Sequence, residues 1–160
     1  MNILLSIKPE YAKLIYEGKK TIEWRKDFPK FVAWRSKIFL YETAPVKRVT
    51  GYVYFNELKK FFLDTSKEKT PYHLSGLLDR GGVSWNYLKK YGSGKIILGW
   101  YICEPTKLNI EEFGNLKYYT DNGKAPQSWQ YTRADINNGT FFSHKIMPKK
   151  FCPISIGIIF

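Results

Sequence analysis

The sequence is organised around residues 18–26, which read Gly-Lys-Lys-Thr-Ile-Glu-Trp-Arg-Lys. Gly18 is predicted to end a helix, because glycine adopts the left-handed backbone conformation of a helix C-terminus at little cost. The residues after it predict a strand, in which successive side chains point to opposite faces. Glu23 and Arg25 therefore share one face, close enough to hold each other in place, and Trp24 lies on the other face.

Two interpretations of this charged strand are open from its residues. A charged face usually points into solvent, as on an ordinary barrel strand. The alternative is a preorganised polar cluster at the mouth of a cleft, with Lys20 beside the carboxylate of Glu23. The lysine would then bind phosphate as a point charge or act as a base if burial lowers its pKa. Strand parity does not determine the directions of Lys19 and Lys20, because both lie where the turn meets the strand.

The composition favours a polyanionic partner. The chain carries 26 Lys and Arg against 14 Asp and Glu, a formal charge of +12, and cationic side chains displace the counterions condensed on phosphates. Aromatic residues make up 18% of the chain, and many aromatic side chains together with many basic ones are typical of proteins that bind single-stranded nucleic acid. The alternative is a basic protein whose charge serves solubility alone.

The length of the chain, 160 residues, suits a single domain that spans residues 1–160. Helical spacing of apolar residues and a proline in the tolerated first turn predict a helix that begins at residues 8–9. Residues 59–91 predict two or three short helices broken by Gly81 and Gly82, as an insertion between strands rather than a second domain. Six strands are predicted, at residues 2–7, 19–26, 37–41, 48–58, 95–108 and 153–160.

Several short strands with few helices predict an α+β fold. A mixed, mainly antiparallel sheet that closes or partly closes into a small β-barrel would hide its edges and fits this length. Alternation places Val49 and Val53 on one face of their strand and Tyr52 on the other. Gly51 in the same strand and Pro105 in a later one are expected at a bulge, a bend or a sheet edge.

A second group of chemistry-bearing residues lies at 125–131, Ala-Pro-Gln-Ser-Trp-Gln-Tyr. The amide of Gln127 can make paired hydrogen bonds to a base edge, and Trp129 or Tyr131 can stack on the face of a base. Ser128 adds a hydroxyl group to the same segment. The alternative is a polar loop that closes the barrel, with Trp129 filling the core.

Other kinds of site and location are not favoured by the residues. His73 and His144 are isolated, so no metal site and no cofactor are expected, and Ser128 has no evident histidine partner for a catalytic triad. Cys103 and Cys152 stand far apart, which favours a reduced, cytoplasmic location over a secreted disulfide framework. The first residues lack the pattern of a signal peptide, and no apolar run approaches the roughly 20 residues needed to cross a bilayer, so no membrane partner is expected.

The two groups together resemble the ASCH domain, a branch of the PUA-like barrels. The resemblance covers most of residues 3–58 closely and the rest loosely, and residues 126–129 are similar to a late loop of some longer members. The G-x-K-x-x-E-x-R motif of the family is matched at four positions: Gly18, Lys20, Glu23 and Arg25. The resemblance implies a PUA-like barrel with a cleft lined by this motif, and recognition of RNA or a nucleotide there.

The resemblance also implies roles for individual residues. Some relatives are described as hydrolases on nucleoside amides or on RNA. By that analogy Lys20 would be the base or the phosphate ligand, Glu23 and Arg25 would orient it and the substrate, and Lys20 and Glu23 would be the catalytic residues. Short hydrolytic members carry threonine at the position of Glu23, which argues against nucleoside deacylation here. Contacts with nucleic acid are expected from eight residues: Lys8, Lys19, Lys20, Arg25, Gln127, Ser128, Trp129 and Tyr131.

Three functions therefore stay open at the level of sequence. The favoured one is a nucleic-acid-binding module whose partner is RNA or a nucleotide, with single-stranded nucleic acid as one form of that partner. The second is a small hydrolase that acts on a modified nucleoside or an RNA phosphodiester, with Lys20 as the base. The third is a module that senses a small nucleotide or interacts with protein, in which the positive charge is incidental.

Overall fold

A computed structural model of the chain describes residues 1–94, 96–137 and 140–143. The strand predicted at 153–160 lies outside these residues. Strands within the described part of the chain are β1 (Asn2–Ile7), β2 (Ile22–Arg25), β3 (Lys37–Glu42), β4 (Arg48–Phe62), β5 (Ile96–Lys107), β6 (Trp129–Thr132), β7 (Ala134–Asn137) and β8 (Thr140–Ser143). The α-helices there are α1 (Pro9–Tyr16), α2 (Ser75–Gly81), α3 (Trp85–Gly92) and α4 (Ile110–Phe113).

Six of the strands form one sheet with the order β2-β5-β4-β3-β1-β6. β1 and β3 pair in parallel, whereas the other neighbouring strands pair antiparallel. Parallel neighbours require a crossover connection, and α1 and β2 lie in that connection. β7 and β8 form a separate antiparallel ladder. The sheet is a mixed, mainly antiparallel half-barrel with a few short helices, which confirms the predicted α+β fold class.

The main hydrophobic core joins the half-barrel to α1. Trp100 of β5 is completely buried in it, and its indole Nε1 donates a hydrogen bond to the Asp27 carbonyl at 3.1 Å. A buried indole usually finds such a partner, and here the partner ties the loop after β2 to the barrel. Other buried members come from β1, β3, β4 and α1: Ile3, Leu5, Ile15, Ile38, Leu40 and Val53.

A β-bulge lies beside Gly51, as predicted. One residue of β4 is extra, because Gly51 pairs with Leu40 while Val49 pairs with the next residue of β3. An extra residue reverses the alternation of side chains along a strand. Val49 therefore shares a core with Tyr52, and the prediction that Val49 and Val53 lie on one face is wrong.

A second bulge includes Pro105 in β5, again as predicted. The pairs on either side of it leave β5 one residue longer than β4. Glu104, the residue before the proline, has a left-handed backbone with φ of 51°. Such a conformation is costly for a non-glycine residue, and a bulge is a place where it occurs.

The helical insertion packs onto the sheet. β4 continues to Phe62, four residues beyond the predicted end at Leu58, and α2 and α3 then follow with the left-handed Gly82 after α2. Together with β2 and β5 the helices form a second core: Ile22, Trp24, Leu63, Leu74, Leu78, Trp85, Leu88, Ile97 and Tyr101. The helices thus share their core with the sheet and cover one face of β2 and β5. Among the described residues, no helix combines the length and apolar character needed to cross a membrane.

Candidate nucleic-acid interface

Lys20 is turned into the protein by the end of α1. The helix ends at Tyr16, and Gly18 has the predicted left-handed backbone, with φ of 72°. The backbone N–H groups of Lys19 and Lys20 both donate to the Leu14 carbonyl, at 2.9 and 3.0 Å, so the chain folds back over the last turn of the helix. As a result Lys20 is only 3% exposed.

The ammonium group of Lys20 has three hydrogen-bond acceptors. Its Nζ donates to the Ile22 carbonyl at 2.8 Å and to the Gly81 carbonyl at 2.5 Å, and it lies 3.1 Å from Glu23 Oε2. A lysine ammonium has three protons to donate, so these contacts match its capacity. They also join β2 to the C-terminal end of α2, sixty-one residues further along the chain.

Arg25 binds Glu23 and reaches across the barrel. Its Nε and Nη2 lie 2.9 and 2.8 Å from Glu23 Oε1, which confirms that the two residues share a face. Its Nη1 donates to Ser128 Oγ at 3.0 Å, and its Nη2 donates to the Ser6 carbonyl at 2.9 Å. Arg25 therefore brings together the two groups of residues that the sequence singled out.

Lys20, Glu23 and Arg25, called the charge cluster below, are withdrawn from solvent. Lys20 and Glu23 are 3% and 7% exposed, and the Arg25 side chain is 13% exposed. The interpretation of an ordinary solvated face is therefore wrong: the end of α2 covers Lys20, and Arg25 lies against Ser6 and Ser128. The cluster holds two positive charges and one negative charge, and its excess positive charge lies where water screens it weakly.

Three tyrosines that are linked to one another lie beside the charge cluster. Tyr11 of α1 has its ring centroid 5.2 Å from Lys20 Nζ. Tyr87 and Tyr91 of α3 stack on each other with centroids 6.0 Å apart and ring planes within 10°, and Lys26 Nζ lies 5.1 Å from the Tyr91 ring. Tyr11, Tyr87 and Tyr91 are called the tyrosine group below.

Burial raises the pKa of the Tyr11 phenol, and Tyr87, which shares a hydrogen bond with it, adds to the shift. Burial also raises the pKa of Tyr91, against the opposing effect of the Arg25 charge. Both phenols therefore stay protonated at neutral pH and can donate hydrogen bonds. Sequence reasoning did not single out these tyrosines. The usable signal was the spacing of Tyr87 and Tyr91, since residues four apart lie on one face of a helix.

Within residues 125–131, Ser128 contacts the charge cluster, whereas Trp129 and Tyr131 pack against the main core. Ser128 is bound to Arg25, and Gln127 is exposed. Trp129 packs against the main core and donates from Nε1 to Asp27 Oδ2 at 3.1 Å. Trp129 is thus partly buried against the core, and its expected contact with a base stays a prediction. Tyr131 also packs against that core, and its hydroxyl accepts a hydrogen bond from the Phe31 backbone N–H at 3.1 Å.

Lys8 and Lys19 lie at the surface. Lys8 Nζ is 3.9 Å from Glu10 Oε1, and Lys19 Nζ is 2.7 Å from Glu17 Oε2. Their ammonium groups thus pair with carboxylates of the α1 region rather than with Glu23 of the charge cluster. Both remain expected contacts for a long polyanion rather than parts of the cluster.

A small cavity of about 200 Å³ lies beside Lys20 of the charge cluster. Lys20 and Gly18 line it, together with Ile15, Thr21, Val53, Ile102, Cys103, Glu104 and Pro105. Its volume falls below the range of about 300–1,000 Å³ that is typical of small-molecule sites. Within the described residues, no three His, Cys, Asp or Glu side chains come together as a metal site would require.

The mixed half-barrel with a few short helices is the fold of a PUA-like domain. A family model described as the ASCH domain matches residues 5–113, and the chain belongs to this family. The chain is also similar to an ASCH domain-containing ribonuclease of Zymomonas mobilis subsp. mobilis, with 42% identity over 55 residues. The matched segment makes up 34% of this chain and 36% of that relative, about a third of its length.

Solved structures of an ASCH protein from Zymomonas mobilis have the same fold. The crystal structure of that protein aligns with a TM-score of 0.65 and 27% identity, over 82% of this chain and 87% of the other. A variant of it with a tyrosine changed to phenylalanine aligns with a TM-score of 0.63 and 27% identity, over 82% and 90% of the two chains. These alignments cover more of the chain than the 55-residue segment of higher identity.

Proposed function

We propose that this protein binds single-stranded RNA between the tyrosine group and the charge cluster. The observation that carries the proposal is a buried cluster with net positive charge beside three tyrosine rings. RNA offers complementary groups, because its phosphates are anionic and its unpaired bases stack on aromatic side chains. The relative named as a ribonuclease supports the choice of RNA over other polyanions.

Each part of the site has a distinct chemical task in this proposal. Tyr87 and Tyr91 present ring surfaces on which a base can stack, and the phenols of Tyr11 and Tyr91 can donate hydrogen bonds to its edge. Arg25 has five N–H groups, of which Glu23, Ser6 and Ser128 accept four, so one N–H of Nη1 can reach a phosphate oxygen. Lys20 is held by its three acceptors, and these contacts favour a positioning role over that of a base.

The experiment is a binding titration with a fluorescein-labelled 12-nucleotide single-stranded RNA, followed by anisotropy at several salt concentrations. The logarithm of the affinity should fall linearly with that of the salt, with a slope of about −0.7 per phosphate contacted. Tyr87→Ala and Tyr91→Ala should each weaken binding about tenfold, since one base–aromatic stack is worth about 1–3 kcal/mol.

Tyr72→Ala is the matched control, because Tyr72 is 96% exposed and lies outside the tyrosine group. It should bind as the unchanged chain does. An affinity that stays flat from low to high salt would contradict the proposal, and so would equal losses in Tyr72→Ala and Tyr87→Ala.

A second candidate, hydrolysis of the RNA phosphodiester, is favoured by the ribonuclease name of the relative. The Ser128 hydroxyl accepts from Arg25 and keeps its own proton to donate, so the pair is suited to hold a phosphate while charge develops on its oxygens. Incubation with an RNA pool and a panel of modified nucleosides, followed by mass analysis, tests it. Ser128→Ala should slow cleavage, whereas intact RNA after long incubation would leave binding as the function.

A further inference from the structure

We propose that Trp34, Arg35 and Tyr54 form a second stacking platform, on which an unpaired base of the same RNA strand rests outside the first site. The inference rests on the proposed RNA-binding function and extends it to longer RNA. Trp34 and Arg35 belong to the loop between β2 and β3, and Tyr54 to β4. The three residues are called the outer platform below.

The exposure of Trp34 is large for an indole, and the loop that carries it is held in place. Trp34 is 69% exposed. Val32 anchors the loop in the main core at 3% exposure, and the Arg35 backbone N–H donates to the Phe55 carbonyl at 2.8 Å. A large aromatic surface that is presented rigidly costs little entropy when a ligand binds to it.

The guanidinium group of Arg35 is also fixed. Its Nη1 and Nη2 donate to the two oxygens of Glu104 at 2.7 and 2.9 Å, which is the bidentate geometry that orients the plane of an arginine. Its Cζ lies 4.3 Å from the Tyr54 ring centroid and 5.7 Å from that of Trp34. Bidentate pairing uses the N–H edge of the guanidinium, and the Tyr54 ring lies against it, so the exposed Trp34 ring beside them offers the main surface for a base. Arginine planes and aromatic rings are the groups on which proteins stack unpaired RNA bases.

The charge of the loop is suited to a polyanion. Residues 26–36 contain Lys26, Lys30 and Arg35 against one acid, Asp27, and Glu104 pairs with Arg35, so basic side chains remain in excess there within a chain of formal charge +12. An apolar protein partner would be favoured by an uncharged aromatic patch, whereas cations interleaved with aromatic rings fit a strand that alternates phosphates and bases.

The loop also connects the outer platform with the first site. It begins at Lys26, whose Nζ lies over Tyr91 of the tyrosine group, and at Asp27, which holds Trp129. The eight residue steps from Lys26 to Trp34 span at most about 28 Å when fully extended. A strand of 12 nucleotides is therefore long enough to touch both places, and a trinucleotide serves as the short comparison probe.

The test compares the affinities of two fluorescein-labelled probes, a single-stranded RNA of 12 nucleotides and one of three nucleotides. The ratio of the trinucleotide Kd to the 12-mer Kd measures the gain from length. Trp34→Ala should lower this ratio about tenfold, since one stacked base is lost, and Trp34→Phe should restore most of it. The control is Phe62→Ala, because Phe62 is an aromatic residue with 76% exposure at the far end of β4, and it should leave the ratio unchanged.

Three outcomes would overturn the inference. They are an unchanged ratio in Trp34→Ala, an equal fall in Phe62→Ala, and a wild-type ratio near one. RNA binding by the wild type that responds to Tyr87→Ala but not to Trp34→Ala would leave the proposed function standing without the outer platform. A wild-type chain that binds neither probe would overturn both proposals.

Discussion

The molecule contains two arginine–glutamate pairs of similar geometry in different surroundings. Arg25 and Glu23 approach to 2.8 Å with side chains 13% and 9% exposed. Arg35 and Glu104 approach to 2.7 Å with side chains 40% and 56% exposed. The distances are nearly equal, so any difference in what the two pairs do must come from burial and from their further partners.

Because the inner pair is buried, the stability of the fold depends on it. The exposed outer pair affects only the residues around it. Ions taken out of water lose their hydration, and breaking a buried pair leaves a charge without compensation. Glu23 is the ion-pair partner of both Lys20 and Arg25, so its loss would leave two buried positive charges without compensation. Exposed pairs are screened by water and salt and contribute little to stability. The outer pair orients Arg35 rather than stabilising the fold.

The largest effect is expected from Glu23→Gln. The neutral amide cannot offset the charges of Lys20 and Arg25, so the free energy of unfolding should fall by about 3–5 kcal/mol. Urea unfolding followed by far-UV circular dichroism measures the change, and Glu104→Gln at the outer pair is the matched control. Equal losses in the two variants would contradict the contrast between the pairs.

A smaller effect is expected from a buried group that titrates at high pH. Burial raises the pKa of Tyr16 to about 12, and its hydroxyl shares a hydrogen bond of 2.8 Å with Thr50 Oγ1. The folded state therefore holds this proton more tightly than the unfolded chain, whose tyrosines titrate near pH 10. The contribution is intact below pH 10 and is lost as the pH rises to 12, by about 3 kcal/mol.

Tyr16→Phe provides the comparison for this titration, because phenylalanine has no proton to lose. Between pH 10 and pH 12 the free energy of unfolding of Tyr16→Phe should decline by about 3 kcal/mol less than that of the wild type. Chemical unfolding at both pH values measures the difference. Parallel declines in the two chains would show that other groups dominate the alkaline transition.

A third effect concerns the carbonyl that binds Lys20. A Cβ atom at Gly81 would overlap the indole ring of Trp24 near its Nε1, so Gly81→Ala should displace the end of α2 and cost about 1–3 kcal/mol. Gly76 in the same helix has no atom within 4 Å of such a Cβ. Gly76→Ala should therefore stabilise the chain slightly through helix propensity, and opposite signs in thermal unfolding are the expected result.

The smallest effect is expected at the outer pair itself. Hydrogen bonds from Arg35 lower the pKa of Glu104, so the attraction is present above the ordinary pKa of a glutamate and fades as the pH falls below it. Glu104→Gln should change the midpoint of unfolding far less than Glu23→Gln does, and 1 M salt should remove the remaining difference. A midpoint shift that persists in high salt would mean that the outer pair stabilises the fold.

Much of the local structure was predictable from short-range patterns. The first strand, the cap at Gly18, the bulges at Gly51 and Pro105 and the broken helices of the insertion follow from neighbouring residues. Val49 shows the limit of this reasoning, because one extra residue in β4 reverses every side chain on the other side of the bulge. The tyrosine group was missed because Tyr87 and Tyr91 are distant from the charge cluster in sequence. Only the packing of α3 brings them close to it.

The sequence by itself determined that Glu23 and Arg25 share a face, since the two-residue period of a strand is a local property. Tertiary structure alone decided that this face is buried, that Lys20 meets the carbonyl of Gly81, and that Ser128 meets Arg25. The reason is that strand alternation tells which side chains share a face, but it does not tell which of the two faces is buried. That choice depends on contacts between residues sixty to a hundred positions apart, which no local pattern encodes.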